Sequence, residues 1–448
     1  MSQLNHTRNA PRVLIPQFFG CTIFDRSTSK YLPFDAETTA LLRRSQTHPF
    51  PLLIAEIEDP EKREQAAAFY AHFYQQGFFG LDGCFAGVAL DVEPAADHMT
   101  GPLAVHLEVV AACNLTCTHC FAGSLPRKER PLTLSEMEAL FADMAQMGSF
   151  RLGLTGGEPL LRKDLFDIID MATDYGLHPC LTTNGLLLTE EIAREFGKRK
   201  LVWLNVSLEG ASPATNDRVR GSGVFERVVE KLKLLSEHAR FTLAFTIMKT
   251  NAEEIEACAE FAASVGASTA VFRPLYPVGI AEQHLEELMP TFSQYNTALA
   301  TLVARDGEEV RVIDPFSPSL RTETQARTHT NHGCGAANSV CSVSVSGDVN
   351  PCSFLGSAFV ANNIRNQPLS TIWREGQTFQ EMRRLPGGTA ETFSGGCRAR
   401  ALAFGGAVNA PDPWVQGYEK EAKRSSPITL YAPSEIVALQ RSVREAKA

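Results

Sequence analysis

The sequence predicts an α/β protein built around a partial (βα)6 TIM-like barrel, with a small winged-helix-like α+β module before it and a cysteine-bearing extension after it. Three observations support this prediction. Short apolar runs alternate with amphipathic segments between residues 103 and 280. Residues 12–92 follow a different pattern. One group of cysteines lies within the alternating region, and a second group follows it.

The alternating region begins with the buried-strand pattern "LAVHLEVV" at residues 103–110 and a helix at 133–148. Thr133 and Glu136 form a capping box at the start of that helix. Six strands with five intervening helices, nearly six strand-helix units, predict a parallel sheet, in which ligands gather at the carboxyl ends of the strands. The remaining predicted strands are 151–155, 179–183, 202–207, 241–248 and 269–274, and the remaining helices are 163–176, 189–199, 224–238 and 253–266.

The N-terminal region predicts a hairpin at residues 21–35, a short helix that begins after Asp35, and a stronger helix at 60–77. These elements define a module over residues 12–92. We expect the rest of the chain to divide into a linker at 93–102, a core at 103–280, a connecting region at 281–330, a cysteine-bearing domain at 331–410, and a tail at 411–448 with a helix around Ile436 to Val443.

The composition excludes several classes of protein. A length of 448 residues and 44% hydrophobic content indicate a multidomain globular protein. The net charge of −9 argues against nucleic-acid binding, and the absence of an apolar run of about 18 residues argues against a membrane span. The first residues lack a secretory signal, so we expect a cytoplasmic protein. In a reducing compartment its eleven cysteines are not expected to form disulfides, so the clustered ones point to metal binding or catalysis. We expect the scattered ones, Cys21, Cys84, Cys180 and Cys258, to be ordinary buried side chains.

Three of these cysteines lie together after the first predicted strand, spaced Cys113-x3-Cys117-x2-Cys120. A structural zinc ion normally takes four protein ligands, and no fourth ligand lies nearby in the sequence. An iron–sulfur cluster held by three cysteines would keep one iron open to another ligand. The spacing therefore favours an iron–sulfur cluster, with a structural zinc site as the alternative.

This spacing resembles the signature of the radical S-adenosylmethionine (SAM) superfamily. The resemblance extends to "LTGGEPLL" after the second strand, "LTTNG" after the third, "VSLEG" after the fourth, "NDRVRGSGVF", and "FRPLYPVG" after the sixth. It implies a [4Fe–4S] cluster whose open iron binds SAM, and reductive cleavage of SAM to a 5′-deoxyadenosyl radical. His119 stands where the family usually has an aromatic ring. The residues that the resemblance assigns to SAM are Gly156, Gly157, Glu158, Asn184, Ser207, Glu209, Arg220 and Arg273.

The second group of cysteines has a spacing of Cys334-x6-Cys341-x10-Cys352, with Cys397 farther on in "FSGGC". The stretch "VSVSGDVNPC" predicts a hairpin that brings Cys341 and Cys352 together. The pattern resembles the SPASM and twitch extensions of radical SAM peptide maturases. The cysteines of a second auxiliary cluster are missing, so the resemblance implies a single auxiliary [4Fe–4S] cluster on these four residues. A zinc ion in an all-cysteine site is the alternative.

The N-terminal module resembles the recognition element of enzymes that modify ribosomally made peptides (RiPPs). That element binds a leader peptide as an added strand. The alternative is a helical cap that only shields one end of the barrel. The implied partners are a precursor peptide with a leader segment and an electron donor such as flavodoxin or ferredoxin, with neither nucleic acid nor membrane.

The resulting hypothesis is a radical SAM peptide maturase that installs a crosslink, a thioether, an epimerised residue or a backbone excision. One alternative is a radical SAM enzyme acting on a small molecule such as a tetrapyrrole precursor. The other is a non-catalytic iron–sulfur or peptide-binding protein. The sequence identifies no acid–base or radical-relay residue, and Tyr276 is only a candidate.

Overall fold

The computed structural model describes residues 7–122, 130–305, 307, 309–317, 320, 334–385 and 396–422. These residues form one four-stranded sheet and one ten-stranded sheet, with helices packed against both. The helix predicted around Ile436 to Val443 lies outside the described residues.

The N-terminal sheet has the strand order β3-β2-β1-β4, and the predicted hairpin is its β2–β3 pair. The first strand was not predicted, and it pairs antiparallel with β2. Asp35 caps the first helix as expected, because its carboxylate accepts the Thr38 N–H at 2.8 Å. The elements of this module are β1 Arg12–Gln17, β2 Gly20–Asp25, β3 Lys30–Asp35, α1 Ala36–Arg44, α2 Phe50–Ala55, α3 Pro60–Gln75 and β4 Val88–Ala89.

The large sheet contains the six predicted strands, parallel and in sequence order. They are β5 Ala104–Val110, β6 Arg151–Gly156, β7 His178–Thr183, β8 Leu204–Ser207, β9 Thr242–Ile247 and β10 Thr269–Pro274. A seventh parallel strand, β11 Val310–Val312, follows β10 and was not predicted. The helices of this region are α4 Leu134–Gln146, α5 Leu165–Asp174, α6 Glu190–Gly197, α7 Pro213–Arg220, α8 Val224–His238, α9 Ile255–Ser264, α10 Leu285–Leu288 and α11 Phe292–Val303.

The two faces of this sheet differ in chemistry. On one face the side chains are apolar and belong to the main hydrophobic core, as Leu107 and Leu154 do. The opposite face is polar, and we define this polar face by His106, Glu108, Thr182, Asn205 and Arg273. Such alternation is expected when one side of a sheet packs on helices and the other lines an interior.

The polar face is concave. His106 lies on β5 and Arg273 on β10, with four strands between them in the sheet. Burial and, to a lesser extent, the positive charge of Arg273 lower the pKa of His106 to about 4. The two side chains are therefore near each other despite the four strands between them. The first and sixth strands therefore face each other across the interior. The ends of the sheet do not pair in the part of the chain that the structure describes, so the barrel is partial, as predicted.

The C-terminal extension continues the same sheet. Its strand β12 Val340–Val343 pairs parallel with β5, and β13 Asp348–Asn350 pairs antiparallel with β12, which confirms the predicted hairpin. The addition of this hairpin to the barrel edge was not predicted. The other elements are β14 Asn362–Asn363, α12 Leu369–Glu375, α13 Gln377–Arg384, α14 Arg398–Gly405 and α15 Val415–Ala422.

The N-terminal module packs against the amino ends of the barrel strands. The Tyr31 hydroxyl on β3 donates to the carbonyl of Gly148 at 3.0 Å and accepts the Phe150 N–H at 2.7 Å. Arg151, at the start of β6, donates to the Ser29 carbonyl at 2.8 Å. The module therefore contacts the amino end of β6. None of the described helices has the length and apolar character needed to cross a membrane.

Candidate active site

The first cysteine group lies in a loop at the carboxyl end of β5. Cys113, Cys117 and Cys120 are all half-buried, and the Cys120 N–H donates to the Cys117 carbonyl at 3.2 Å. The sulfur of Cys113 accepts N–H groups from the Leu115 backbone at 3.5 Å and the Asn184 side chain at 3.9 Å. N–H donors aimed at sulfur are among the features that tune iron–sulfur thiolates.

Gly156 and Gly157 bring the end of β6 into contact with the cysteine loop. The Gly157 N–H donates to the Val110 carbonyl at 2.7 Å, and the next N–H along the chain donates to the Ala112 carbonyl at 2.8 Å. A Cβ on Gly157 would lie 2.1 Å from the Ala112 oxygen, and Gly156 has a φ of +134°. Both positions therefore require glycine to keep the cysteine loop in place.

Glu158 is buried and joins the ends of two strands. Its carboxylate accepts the Thr183 hydroxyl at 2.6 Å, the Asn184 N–H at 2.7 Å and the Leu160 N–H at 3.0 Å. Burial raises its pKa despite these donors. Asn184 in turn donates to the Asn114 side chain in the cysteine loop at 2.7 Å. Glu158 and Asn184 thus form one network that positions the loop.

Glu209 is the centre of a second buried network. Its carboxylate lies 2.7 Å from the Arg220 guanidinium and 3.0 Å from the His119 ring, and it accepts the Thr246 N–H at 2.8 Å. Burial pushes the pKa of Glu209 upward, but His119 and Arg220 bring it below its usual value. The network links the carboxyl ends of β8 and β9 to the cysteine loop.

Arg220 therefore already has a carboxylate partner within the protein. It also lies near Cys117, whose pKa rises to about 11 because the thiol is buried, with Arg220 acting in the opposite direction. The Nε of Arg220 is buried and has no hydrogen-bond partner among the described residues. That N–H is a buried donor available to a bound ligand.

Ser207 and Arg273 are the predicted site residues that stand apart from both networks. Ser207 is half-buried at the end of β8, and Arg273 is half-buried on the polar face. In the part of the chain that the structure describes, neither side chain has a hydrogen-bond or ion-pair partner. Arg273 is thus a cation inside the barrel without a counter-charge in contact, and burial lowers its pKa.

The second cysteine group is brought together by the extension. Cys341 lies on β12, Cys352 follows β13, and Cys334 and Cys397 are buried beside them. Burial raises the pKa of the Cys352 thiol, and the neighbouring Cys334, Cys397 and Cys341 raise it further. Backbone N–H groups reach three of the four sulfurs and come from Ala336, Phe354, Arg398 and Arg400.

Comparison with known families identifies both cysteine regions. Residues 107–262 match the radical SAM superfamily, and residues 334–398 match the SPASM iron–sulfur cluster-binding domain. The mycofactocin maturase MftC of Mycolicibacterium smegmatis is 30% identical over 354 residues, which cover 75% of this chain and 90% of that protein. The chain belongs to the radical SAM superfamily.

Two further relatives extend the comparison. The AdoMet-dependent heme synthase of Methanosarcina barkeri is 33% identical over 341 residues, covering 70% of this chain and 96% of that protein. The crystal structure of Streptococcus suis SuiB bound to the precursor peptide SuiA has the same fold, with a TM-score of 0.66 and 14% identity. The SuiB match covers 91% of this chain and 98% of that one, so it includes most of the N-terminal module.

The protein is thus a radical SAM enzyme with a SPASM domain, and its cofactors are SAM and [4Fe–4S] clusters. The donors of both cysteine sites fit iron–sulfur clusters, because none of the eleven cysteines, all within the described residues, forms a disulfide, and N–H groups point at the sulfurs of both groups. Among the described residues, no three cysteine, histidine or carboxylate side chains lie close enough to surround one metal ion.

Sequence reasoning missed several residues of the site. Asn114 and Thr183 form hydrogen bonds in the network of Glu158 and Asn184. The only sequence signal for their role was their position inside the motifs. Phe121 and Phe354 each lie close to a cluster cysteine in sequence, and their rings meet at 5.1 Å. Tyr276 stacks on Phe354 at 3.9 Å. This aromatic contact joins the two cysteine regions, and no sequence signal predicted it.

Proposed function

We propose that this radical SAM enzyme modifies a ribosomally synthesised precursor peptide. The leader segment binds the N-terminal module, and hydrogen is abstracted from a core residue to give a crosslink, a thioether, an epimerised residue or an excision. The observation that carries the proposal is the edge strand β3, next to a barrel whose interior is polar. The precursor-peptide complex of SuiB, which shares this fold, supports it.

Strand β3 offers an edge to which a peptide can add. In the sheet order β3-β2-β1-β4 it pairs with β2, and no other described strand pairs with its outer side. Strand addition to such an edge supplies affinity through backbone hydrogen bonds. Pro33 lies within this strand and lacks an N–H group. Strand β3 therefore offers a docked peptide one hydrogen-bond donor fewer at that position, which favours a particular register.

The position of the module sets a minimum length for the peptide. Tyr31 contacts the amino end of β6, whereas the cysteine loop contacts its carboxyl end. Strand β6 has six residues, Arg151–Gly156, which correspond to roughly 20 Å. We therefore propose that at least about six extended residues separate the docked leader from the modified residue.

The three-cysteine site is proposed to hold the [4Fe–4S] cluster that binds SAM. When bound, this pair supplies a 5′-deoxyadenosyl radical for hydrogen abstraction. The glycines at 156 and 157 and the network of Glu158 and Asn184 hold the cysteine loop, and Glu209 orients Arg220. We propose Ser207 and Arg273 as direct contacts of SAM, because their polar groups have no partner among the described residues.

The four cysteines of the SPASM domain are proposed to hold one auxiliary [4Fe–4S] cluster, saturated by Cys334, Cys341, Cys352 and Cys397. Electrons would come from a donor such as flavodoxin or ferredoxin. The lack of a disulfide among the eleven described cysteines is consistent with a reducing cytoplasm. The proposed boundaries are 12–92 for the leader-binding module, 93–102 for a linker, 103–280 for the radical SAM core, 281–330 for a connection, 331–410 for the SPASM domain and 411–448 for a tail.

The test is first a search for a gene that encodes a short peptide beside this one, and then an anaerobic reaction of the reconstituted enzyme with that peptide. We expect a mass change in the core of that peptide that depends on SAM, on reductant and on the leader segment. A peptide that stays unmodified while SAM is cleaved would contradict the proposal.

The second candidate is a radical SAM enzyme acting on a tetrapyrrole precursor. It is favoured by the 33% identity to the AdoMet-dependent heme synthase, which exceeds the identity to the maturase MftC. A tetrapyrrole arm in the same assay distinguishes the two. Conversion of the tetrapyrrole, with the peptide unchanged, would establish the second candidate.

A further inference from the structure

Three buried arginines surround the four cysteines of the SPASM domain. Arg383, Arg398 and Arg400 have exposed fractions of 8%, 6% and 0%. Each lies near a different cysteine, since Arg398 lowers the pKa of Cys334, Arg383 that of Cys341 and Arg400 that of Cys397, all against the larger effect of burial. Buried arginines are rare, so three around one site call for a functional reason.

Hydrogen bonds hold these arginines in place. Arg383 donates to the Ala337 carbonyl, between Cys334 and Cys341, at 2.9 Å and to the Trp373 carbonyl at 2.8 Å. Arg398 donates to the Val408 carbonyl at 3.1 Å. A guanidinium stays protonated in proteins, so Arg383 and Arg398 place positive charge near the sulfurs.

Arg400 is held differently. It forms a bidentate pair with Asp412 at 2.7 and 2.9 Å and stacks on Trp414 at 4.1 Å. The same carboxylate accepts the Cys397 N–H at 2.6 Å. Asp412 therefore anchors both the cysteine and the arginine, and it offsets one of the three positive charges.

Three guanidiniums lie at this site with two buried carboxylates, Asp412 and Asp314, and the exposed Asp97 lies near Arg383. Burial raises the pKa of Asp314. Asp314 is bonded to the hydroxyls of Tyr295 at 2.7 Å and Tyr418 at 3.3 Å. The cysteine thiolates add negative charge at the same site. A four-thiolate [4Fe–4S] cluster is an anion, and one-electron reduction makes it more negative by one charge.

We infer that Arg383, Arg398 and Arg400 raise the reduction potential of the auxiliary cluster, so that it serves as an electron acceptor. Fixed positive charge stabilises the reduced, more negative form more than the oxidised form. The step is the uptake of one electron from the flavodoxin- or ferredoxin-type donor proposed above, and no proton is taken up because the guanidiniums are already protonated. This inference rests on the four-cysteine cluster proposed above and names the residues that set its potential.

The test is a redox titration of the reconstituted enzyme with dithionite, followed by electron paramagnetic resonance, after iron analysis of each variant. Arg398→Gln should lower the equilibrium constant for reduction of the auxiliary cluster by roughly tenfold, which is about 59 mV. Arg398→Lys should restore it. Asp412→Asn removes a negative charge and should shift the potential in the opposite direction. Arg374→Gln removes a charge from an exposed arginine and should leave it unchanged.

Shifts of opposite sign in the reduction potentials of Arg398→Gln and Asp412→Asn distinguish an electrostatic effect from damage to the fold. Damage would shift both potentials in the same direction. Arg383→Gln provides a second reading if one variant loses iron. Variants that keep both clusters and titrate like the unmodified enzyme would overturn the inference, as would shifts of the same sign for Arg398→Gln and Asp412→Asn. Absence of a second cluster in the unmodified enzyme would instead overturn the cluster assignment on which the inference rests.

Discussion

Replacing Gly157 by alanine should displace the cysteine loop without altering its ligands. The new Cβ would lie 2.1 Å from the Ala112 oxygen and 2.5 Å from its carbonyl carbon, so the two backbones must separate by about 1 Å. Two hydrogen bonds, at 2.7 and 2.8 Å, would lengthen or break. We expect the free energy of unfolding to fall by about 1–3 kcal/mol.

The effect on catalysis should be larger than the effect on stability, because a displacement of about 1 Å can cost roughly 100-fold in rate. The assay is the rate of 5′-deoxyadenosine formation from SAM and dithionite, with iron content and thermal melting measured in parallel. Gly356→Ala is the matched control, since its Cβ would meet no atom within 4 Å. A Gly157→Ala enzyme that cleaves SAM at the unmodified rate would refute the role given to this contact.

Four further predictions test other parts of the site. Cys117→Ala should abolish 5′-deoxyadenosine formation, and surviving turnover would exclude the three-cysteine cluster. Arg273→Met should raise the dissociation constant for SAM about 10–100-fold with an unchanged melting temperature, because a charge-assisted contact is lost. Leu32→Lys on the β3 edge should weaken binding of the precursor peptide about tenfold, whereas Leu52→Lys on the exposed side of α2 should not. Burial raises the pKa of Glu108 from 4.5 to about 7, so the folded protein keeps a proton that the unfolded chain releases, and the free energy of unfolding falls as pH rises between those values. Glu108→Gln should remove roughly 3 kcal/mol of that fall in anaerobic urea titrations, and an unchanged slope would contradict it.

The sequence predicted the barrel strands closely because each has a periodic apolar face and all but the first follow an amphipathic helix. Helix α7 was missed, since Pro213, Asn216 and Asp217 give it a turn-like composition. Strand β1 was missed as well, although its six residues are all buried. The pairing of β12 with β5 was beyond prediction, because contacts more than 200 residues apart leave no local pattern.

The candidate site was predictable as a set of residues but not as a set of contacts. Spacing identified both cysteine groups. The partners of Glu158 and Arg220 depend on which strand ends meet in space, and the structure places both side chains in networks within the protein. Deleting residues 1–92 would not test leader binding alone, because Ile15 and Tyr31 belong to the barrel's hydrophobic core.

The central claim is that Cys113, Cys117 and Cys120 hold an iron–sulfur cluster with one iron open to SAM. Electron paramagnetic resonance of the reduced, iron-loaded protein before and after addition of SAM tests it most directly. We predict about eight irons per chain and a spectrum in which the signal of one cluster changes when SAM is added. A spectrum that SAM leaves unaltered, or a zinc-filled protein without an iron signal, would contradict the claim.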